Sequence, residues 1–181
     1  MRNEVRIIGG EWRSRLITFP GRADLRPTPD RVRETVFNWL GQDLSGKTCL
    51  DLFAGSGAMG FEAASRGAEQ IVMVESNPEV LKALEINSRK LNARQIQLAA
   101  TDALRFVDAD RRLFDIIFVD PPYRLDLLPE LLSRLPSHLA ENGLVYVEDG
   151  GMPEPGADWL VWRKARAGKV YYQLLKSAKN G

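Results

Sequence analysis

From residue 47 onward, short apolar runs alternate with longer stretches whose apolar residues recur at helical spacing. Thr48 to Phe53, Gln70 to Glu75, Ile96 to Ala99, Asp115 to Asp120 and Leu144 to Glu148 have strand length and little internal polarity. Between them, Ala58 to Arg66, Pro78 to Leu91, Ala103 to Val107 and Leu125 to Leu139 read as helices, the second opened by an Asn77 cap with Pro78 in its first turn. Strands that alternate with helices predict an α/β fold, a Rossmann-like parallel sheet with helices on both faces. Its ligands sit at the carboxyl ends of the strands. After the turn Pro153-Glu154-Pro155-Gly156, the runs Trp159 to Trp162 and Lys169 to Leu175 predict a closing antiparallel hairpin around Ala167-Gly168.

The first forty residues read differently. Val5 to Ile8 and Arg15 to Phe19 are β-like runs around Gly9-Gly10, which predicts a hairpin or arm. Thr28 as N-cap and Pro29 at the first helical position then open a helix carrying Val32, Val36, Phe37 and Leu40 to Gly41. The expected division is an N-terminal arm and helix over 1–41 and a catalytic sheet domain over 42–181.

Composition narrows the chemistry. A chain of 181 residues with 44% hydrophobic side chains can bury one sizeable core without staples. Cys49 and His138 are single, so no intramolecular disulfide, cysteine zinc site or histidine metal cluster is expected, and metal is left out. Met1 to Arg6 lacks an apolar leader core and no stretch has the length of a membrane span, so the expected location is cytoplasmic, away from membranes. Charge is nearly balanced overall yet uneven along the chain. Residues 1–40 hold eight arginines against five acids, and from Trp159 onward six basic residues meet no acid, so the middle is acidic. Basic ends of this kind suit a polyanion such as nucleic acid. Arg31 and Arg33 fall in the first turn of their helix, where a cation opposes the dipole, so an external anion is the expected reason for them.

Two local motifs carry chemistry. Gly55, Gly57 and Gly60 satisfy G-x-G-x-x-G between a strand and a helix, which lets a ligand approach the backbone closely. Glu75, at the tip of the next strand, is placed to accept hydrogen bonds from ribose hydroxyls, which points to an adenosine-type cofactor. A dinucleotide and S-adenosylmethionine both remain open on these residues. Asp51 disfavours a pyrophosphate and suits an amino group, and Asp102 either reaches an adenine amine or caps its own helix. The second motif, Asp120-Pro121-Pro122-Tyr123, ends a strand expected to be central. Two prolines stiffen the corner and remove two donors, leaving carbonyls and a carboxylate to grip the hydrogens of an aromatic amine. Tyr123 would stack on the base.

Together these segments resemble the class I S-adenosylmethionine-dependent methyltransferases, and more narrowly the RsmD family. The likeness runs through Arg6-Ile-Ile-Gly-Gly, Leu25-Arg-Pro-Thr28, Arg31-Val-Arg-Glu-Thr-Val-Phe-Asn-Trp-Leu40, Asp51 to Gly57, Ser65-Arg-Gly-Ala68, Asp120 to Tyr123 and Val145-Tyr-Val-Glu148. It implies methylation of a guanine N2 amine in small-subunit ribosomal RNA, in an assembled subunit or a late assembly intermediate, by a monomer with S-adenosylmethionine as cofactor. It implies that Asp51, Phe53, Ala54, Gly55, Ser56, Gly57, Glu75, Ser76 and Asn77 bind that cofactor, with Asp102 and Ala103 near the adenine. Asp120, Pro121, Pro122 and Tyr123 would hold the guanine. Arg6, Arg13, Arg15, Arg26, Thr28, Arg31 and Arg33 would grip RNA. An adenine-N6 methyltransferase would share the cofactor and corner but needs a recognition domain for which the chain has no room. A small NAD-dependent oxidoreductase would leave the corner and the arginines unexplained.

Overall fold

The computed structural model describes residues 2–180. A hairpin of β1 (Arg2–Arg6) and β2 (Leu16–Pro20) leads into α1 (Asp30–Leu40). Then follow β3 (Thr48–Asp51), α2 (Ala58–Ser65), β4 (Gln70–Val74), α3 (Pro78–Lys90), β5 (Ile96–Ala99), α4 (Ala103–Ala109), β6 (Phe114–Val119) and α5 (Leu128–Arg134). Strands β7 (Leu139–Asp149), β8 (Trp159–Ala167) and β9 (Val170–Ser177) complete a seven-stranded sheet of order β5-β4-β3-β6-β7-β9-β8. Strands β3 to β7 run parallel, and β9 is antiparallel to both its neighbours. The chain leaves β3 toward β4 and β5 and returns on its other side at β6. That reversal opens a crevice between the carboxyl ends of β3 and β6, where a doubly wound sheet takes its ligand.

Successive strand residues feed opposite cores. Cys49, Met73, Phe118, Tyr146 and Leu174 pack toward α1, α2 and α3, whereas Leu50, Val72, Val119, Val147 and Leu175 pack toward α4 and α5. The N-terminal hairpin shares the first of these cores through Val5, Ile7, Trp12, Ile17 and Phe19. It is also held by polar contacts. Ile8 and Gly9 donate their backbone N–H groups to the two oxygens of the buried Glu62, each at 2.9 Å. Asn87 clasps Thr18, its amide donating to the carbonyl at 2.7 Å and its oxygen accepting the N–H at 3.2 Å. Gly10 has φ +78°, and a Cβ there would lie 1.9 Å from the Ser65 carbonyl oxygen, so this close approach of arm and α2 requires glycine.

Three local expectations change. The helix expected over 125–139 breaks into α5 between 3₁₀ turns at Tyr123–Leu125 and Leu135–His138, and β7 already begins at Leu139. Pro136 has no N–H to continue the ladder, and Asp126 takes a left-handed φ of 46°. Helix α1 starts at Asp30 with Pro29 as its cap residue, and Thr28 makes no cap bond. The C-terminal hairpin is longer than expected, and its second strand inserts between β7 and β8.

Candidate active site

A cleft of about 770 Å³ opens at the topological reversal, within the size range of small-molecule sites. Asp51, Phe53, Ala54, Gly55, Ser56, Glu75, Ser76, Asn77, Asp102, Ala103 and the corner Asp120 to Tyr123 all line it. Gly57 stands behind the wall. It takes φ +84° as the left-handed residue before α2, and a Cβ there would meet the Phe61 ring at 2.5 Å. Glycine therefore lets the loop turn and seat against the core at the same residue.

The cleft is acidic. Glu75 accepts the N–H groups of Gly55 at 3.1 Å and Asn77 at 2.9 Å, so its carboxylate ties the glycine loop to the start of α3 and keeps further lone pairs for a ligand. Asn77 caps α3 by accepting from the backbone of Glu79 and Val80. Asp102 caps α4 through the Arg105 N–H at 3.0 Å while also lining the cleft. Burial pushes the Asp51 carboxyl up to about 7, against the backbone N–H groups of Phe53 and Gly60 that favour its ionised form, and Glu75 adds repulsion.

Asp120 and Glu148 stand one residue beyond the last paired positions of adjacent strands, Val119 and Val147. Asp120 is partly open to the cleft and accepts no hydrogen bond from the described residues. Burial holds its carboxyl well above the ordinary carboxylate range, helped by Glu148, then Asp51 and Asp149. Glu148 is buried and receives three hydroxyls: Tyr146 at 2.8 Å, Tyr123 at 3.4 Å and Thr28 at 3.5 Å. Its carboxyl is also raised by burial, and those hydroxyls pull the other way. Pro121 and Pro122 turn the chain without donors, and Tyr123 stands at the mouth, 47% exposed.

The arginines separate. Arg6, Arg13, Arg15, Arg26 and Arg31 are exposed, with Arg26 at the rim of the cleft. Arg33 is not available to an external anion. It is fully buried, its guanidinium held by Asp30 at 2.5 Å, Glu62 at 3.3 Å and the carbonyls of Thr28 at 3.1 Å and Arg6 at 2.9 Å. Thr28 is likewise buried, with its hydroxyl turned inward to Glu148. Both were expected on RNA; Arg33 turns inward because α1 packs against the arm and Glu62 of α2, and Thr28 because loop 21–29 folds over the cleft. Sequence reasoning missed Glu148, Tyr146 and Leu25 as site residues. A polar residue at the carboxyl end of β7 was a usable signal for Glu148. Leu25 fell within the Leu25-Arg-Pro-Thr28 likeness but without a role, and its side chain lies 2.9 Å from where a Gly55 Cβ would be.

The cleft suits S-adenosylmethionine better than a dinucleotide. That cofactor is cationic at sulfur and at its amino group, and Asp51, Glu75, Asp102, Asp120 and Glu148 surround the space it would enter. A pyrophosphate there would face six carboxyl groups of the lining against three arginines, Arg22, Arg26 and Arg124. Comparison with known proteins agrees. The family model described as conserved hypothetical protein 95 matches residues 5–176. The chain is 40% identical over 183 residues to ribosomal RNA small subunit methyltransferase D of Escherichia coli K12, covering 98% of this chain and 92% of that one. It is 36% identical over 185 residues to the protein of the same name in Haemophilus influenzae, covering 97% and 95%. Among solved structures, the Escherichia coli chain named as methyltransferase yhhF superposes with a TM-score of 0.87 at 42% identity, covering 97% of this chain and 98% of that one.

Proposed function

This chain belongs to the RsmD family of class I methyltransferases, the family described as conserved hypothetical protein 95, and from that premise we propose that it methylates the exocyclic N2 amine of a guanine in small-subunit ribosomal RNA. The cofactor is S-adenosylmethionine. When bound it supplies a methyl group on a sulfonium, which is electrophilic without further activation. Asp51 receives the amino group, Glu75 the ribose hydroxyls, and Asp102 with Ala103 borders the adenine. The observation that carries the reading is Asp120, a carboxylate that accepts no hydrogen bond among the described residues and is followed by two prolines at the edge of the cofactor cleft.

An arylamine is a poor nucleophile because its lone pair is delocalised into the ring. Asp120 and the Pro121 carbonyl accept its two hydrogens and draw the nitrogen toward tetrahedral geometry, while Tyr123 stacks on the base. The bound cofactor would supply the methyl group with its sulfur as the leaving group, and the methylated nitrogen would shed a proton. Asp120 takes that proton, a task that its raised affinity for protons suits. The division of labour follows. Residues 42–181 carry the chemistry, and residues 1–41 present Arg6, Arg13, Arg15, Arg26 and Arg31 to RNA, in the cytoplasm, on an assembled or nearly assembled subunit, as a monomer.

Labelled methyl transfer to small-subunit particles in a single turnover, followed by nucleoside analysis, tests this. Asp120→Ala should lower the rate by two or more orders of magnitude with cofactor and RNA affinity nearly unchanged, and Asp120→Asn should retain more. Label on an atom other than guanine N2, or an undiminished rate for Asp120→Ala, refutes the proposal.

A further inference from the structure

Glu148 is a buried carboxylate without a cation. Among the described residues it forms no salt bridge, whereas the other buried glutamate, Glu62, is paired with both Arg33 and Arg66. Its partners are three hydroxyls from three places in the chain: Tyr146 two residues upstream on β7, Tyr123 from the corner and Thr28 from the loop before α1. Its hydroxyl partners supply hydrogen bonds but no opposite charge, and it lines the cleft beside Asp120, with acceptor capacity left for a ligand's donor. Three converging hydroxyls also fix its direction. They orient both oxygens without neutralising them.

Two carboxylates on adjacent parallel strands stand about 4.8 Å apart at the backbone. The Watson–Crick edge of guanine offers donors in a row, the N2 amine and the ring N1–H. Adenine offers an amine beside a ring nitrogen that bears a lone pair, which a second carboxylate would repel. We propose that Glu148 sets base specificity, its carboxylate accepting the N1–H of the target guanine while Asp120 accepts the N2 amine. This rests on the guanine reading above and adds to it the group that rejects bases lacking a ring N1–H. Thr28 and Tyr146 act as positioning residues for that carboxylate. Loop 21–29 thereby reaches base choice through Thr28 and not through RNA phosphates.

The test uses the full-length protein on small subunits reconstituted with RNA that carries, at the guanine mapped as the target, either guanine or 2,6-diaminopurine. The analogue keeps the N2 amine but has a lone pair at N1. Wild-type protein should modify guanine about ten- to a hundred-fold faster in single turnover, the value of one charge-assisted hydrogen bond. Glu148→Gln, whose amide can donate to that lone pair, should shrink or reverse the ratio in a protein that still unfolds cooperatively, both substrates being read at saturating cofactor. A wild-type ratio near one overturns the assignment without any variant, and so does an unchanged ratio in a folded Glu148→Gln protein. Label on an atom other than the N2 amine of the wild-type target defeats the guanine reading itself, which is a separable result.

Discussion

Asp51 shows how one carboxyl links fold and ligand. Its buried pKa lies near 7, above its ordinary value, so its contribution to stability is fully present below about pH 4 and is lost as pH rises toward 7. Asp51→Asn should therefore gain on wild type as pH rises through that window, by at most about 4 kcal/mol, in denaturant titrations at pH 5 and pH 8. Cofactor affinity should move the opposite way. The cationic amino group prefers the ionised carboxylate, so calorimetry should find tighter binding from pH 6 to pH 8, with proton release near pH 7. Affinity that is flat across this range would remove Asp51 from the amino-group subsite. Asp120 and Glu148 share the tension, because burial raises both while the proposed chemistry needs acceptors. Stability is spent at these residues to keep two neighbouring carboxyl groups out of water at the cleft.

Among elements, α2 does more than follow the glycine loop. Its Glu62 receives two backbone N–H groups of the arm, Arg33 of α1 at 3.3 Å and Arg66 at 2.9 Å, all out of water. Breaking such a network from one side leaves the opposite charges buried and unpaired. Glu62→Ala should cost about 3–5 kcal/mol and shift the unfolding midpoint accordingly, with the arm becoming sensitive to proteolysis. Losses below 1 kcal/mol would mean that the arm is held by its apolar residues alone. The arm is thus a docked platform. Arg15 reaches the Lys90 carbonyl at the last turn of α3, the end away from the cleft, whereas Arg26 lines the cleft itself.

For the whole molecule, the charge asymmetry becomes a division of surface: an acidic cleft at the sheet's carboxyl edge, with basic residues in the N-terminal arm and on β8 and β9. Arg163, Lys164, Arg166, Lys169 and Lys176 are exposed there, and Arg163 and Lys176 lie over the Trp162 ring at 4.4 Å and 4.2 Å. Replacing Arg13, Arg15 and Arg31 by Gln should weaken RNA binding and reduce its log–log salt slope by about two to three, since each phosphate contact contributes about 0.7–0.9. Cofactor affinity should stay constant. An unaltered slope would make these arginines a solvated face. Arg33 is unsuitable for this experiment, because its loss would act through folding.

Most of the frame was legible in the chain order of apolar runs, because each strand of a doubly wound sheet is buried on both sides and each helix on one. The glycine loop, Glu75, Asn77 and the Asp-Pro-Pro-Tyr corner were equally legible, since their backbone demands are local and only a few residue types meet them. Register and long-range polar pairing were not. That Arg33 turns inward to Glu62, that Thr28 crosses 120 positions to reach Glu148, and that Pro136 splits the expected helix so that β7 begins early depend on which surfaces meet after folding. An arginine in a first helical turn looks the same in sequence whether its charge meets RNA or a buried glutamate. The choice belongs to tertiary structure, because only packing decides which carboxylates lose their water and must find a partner.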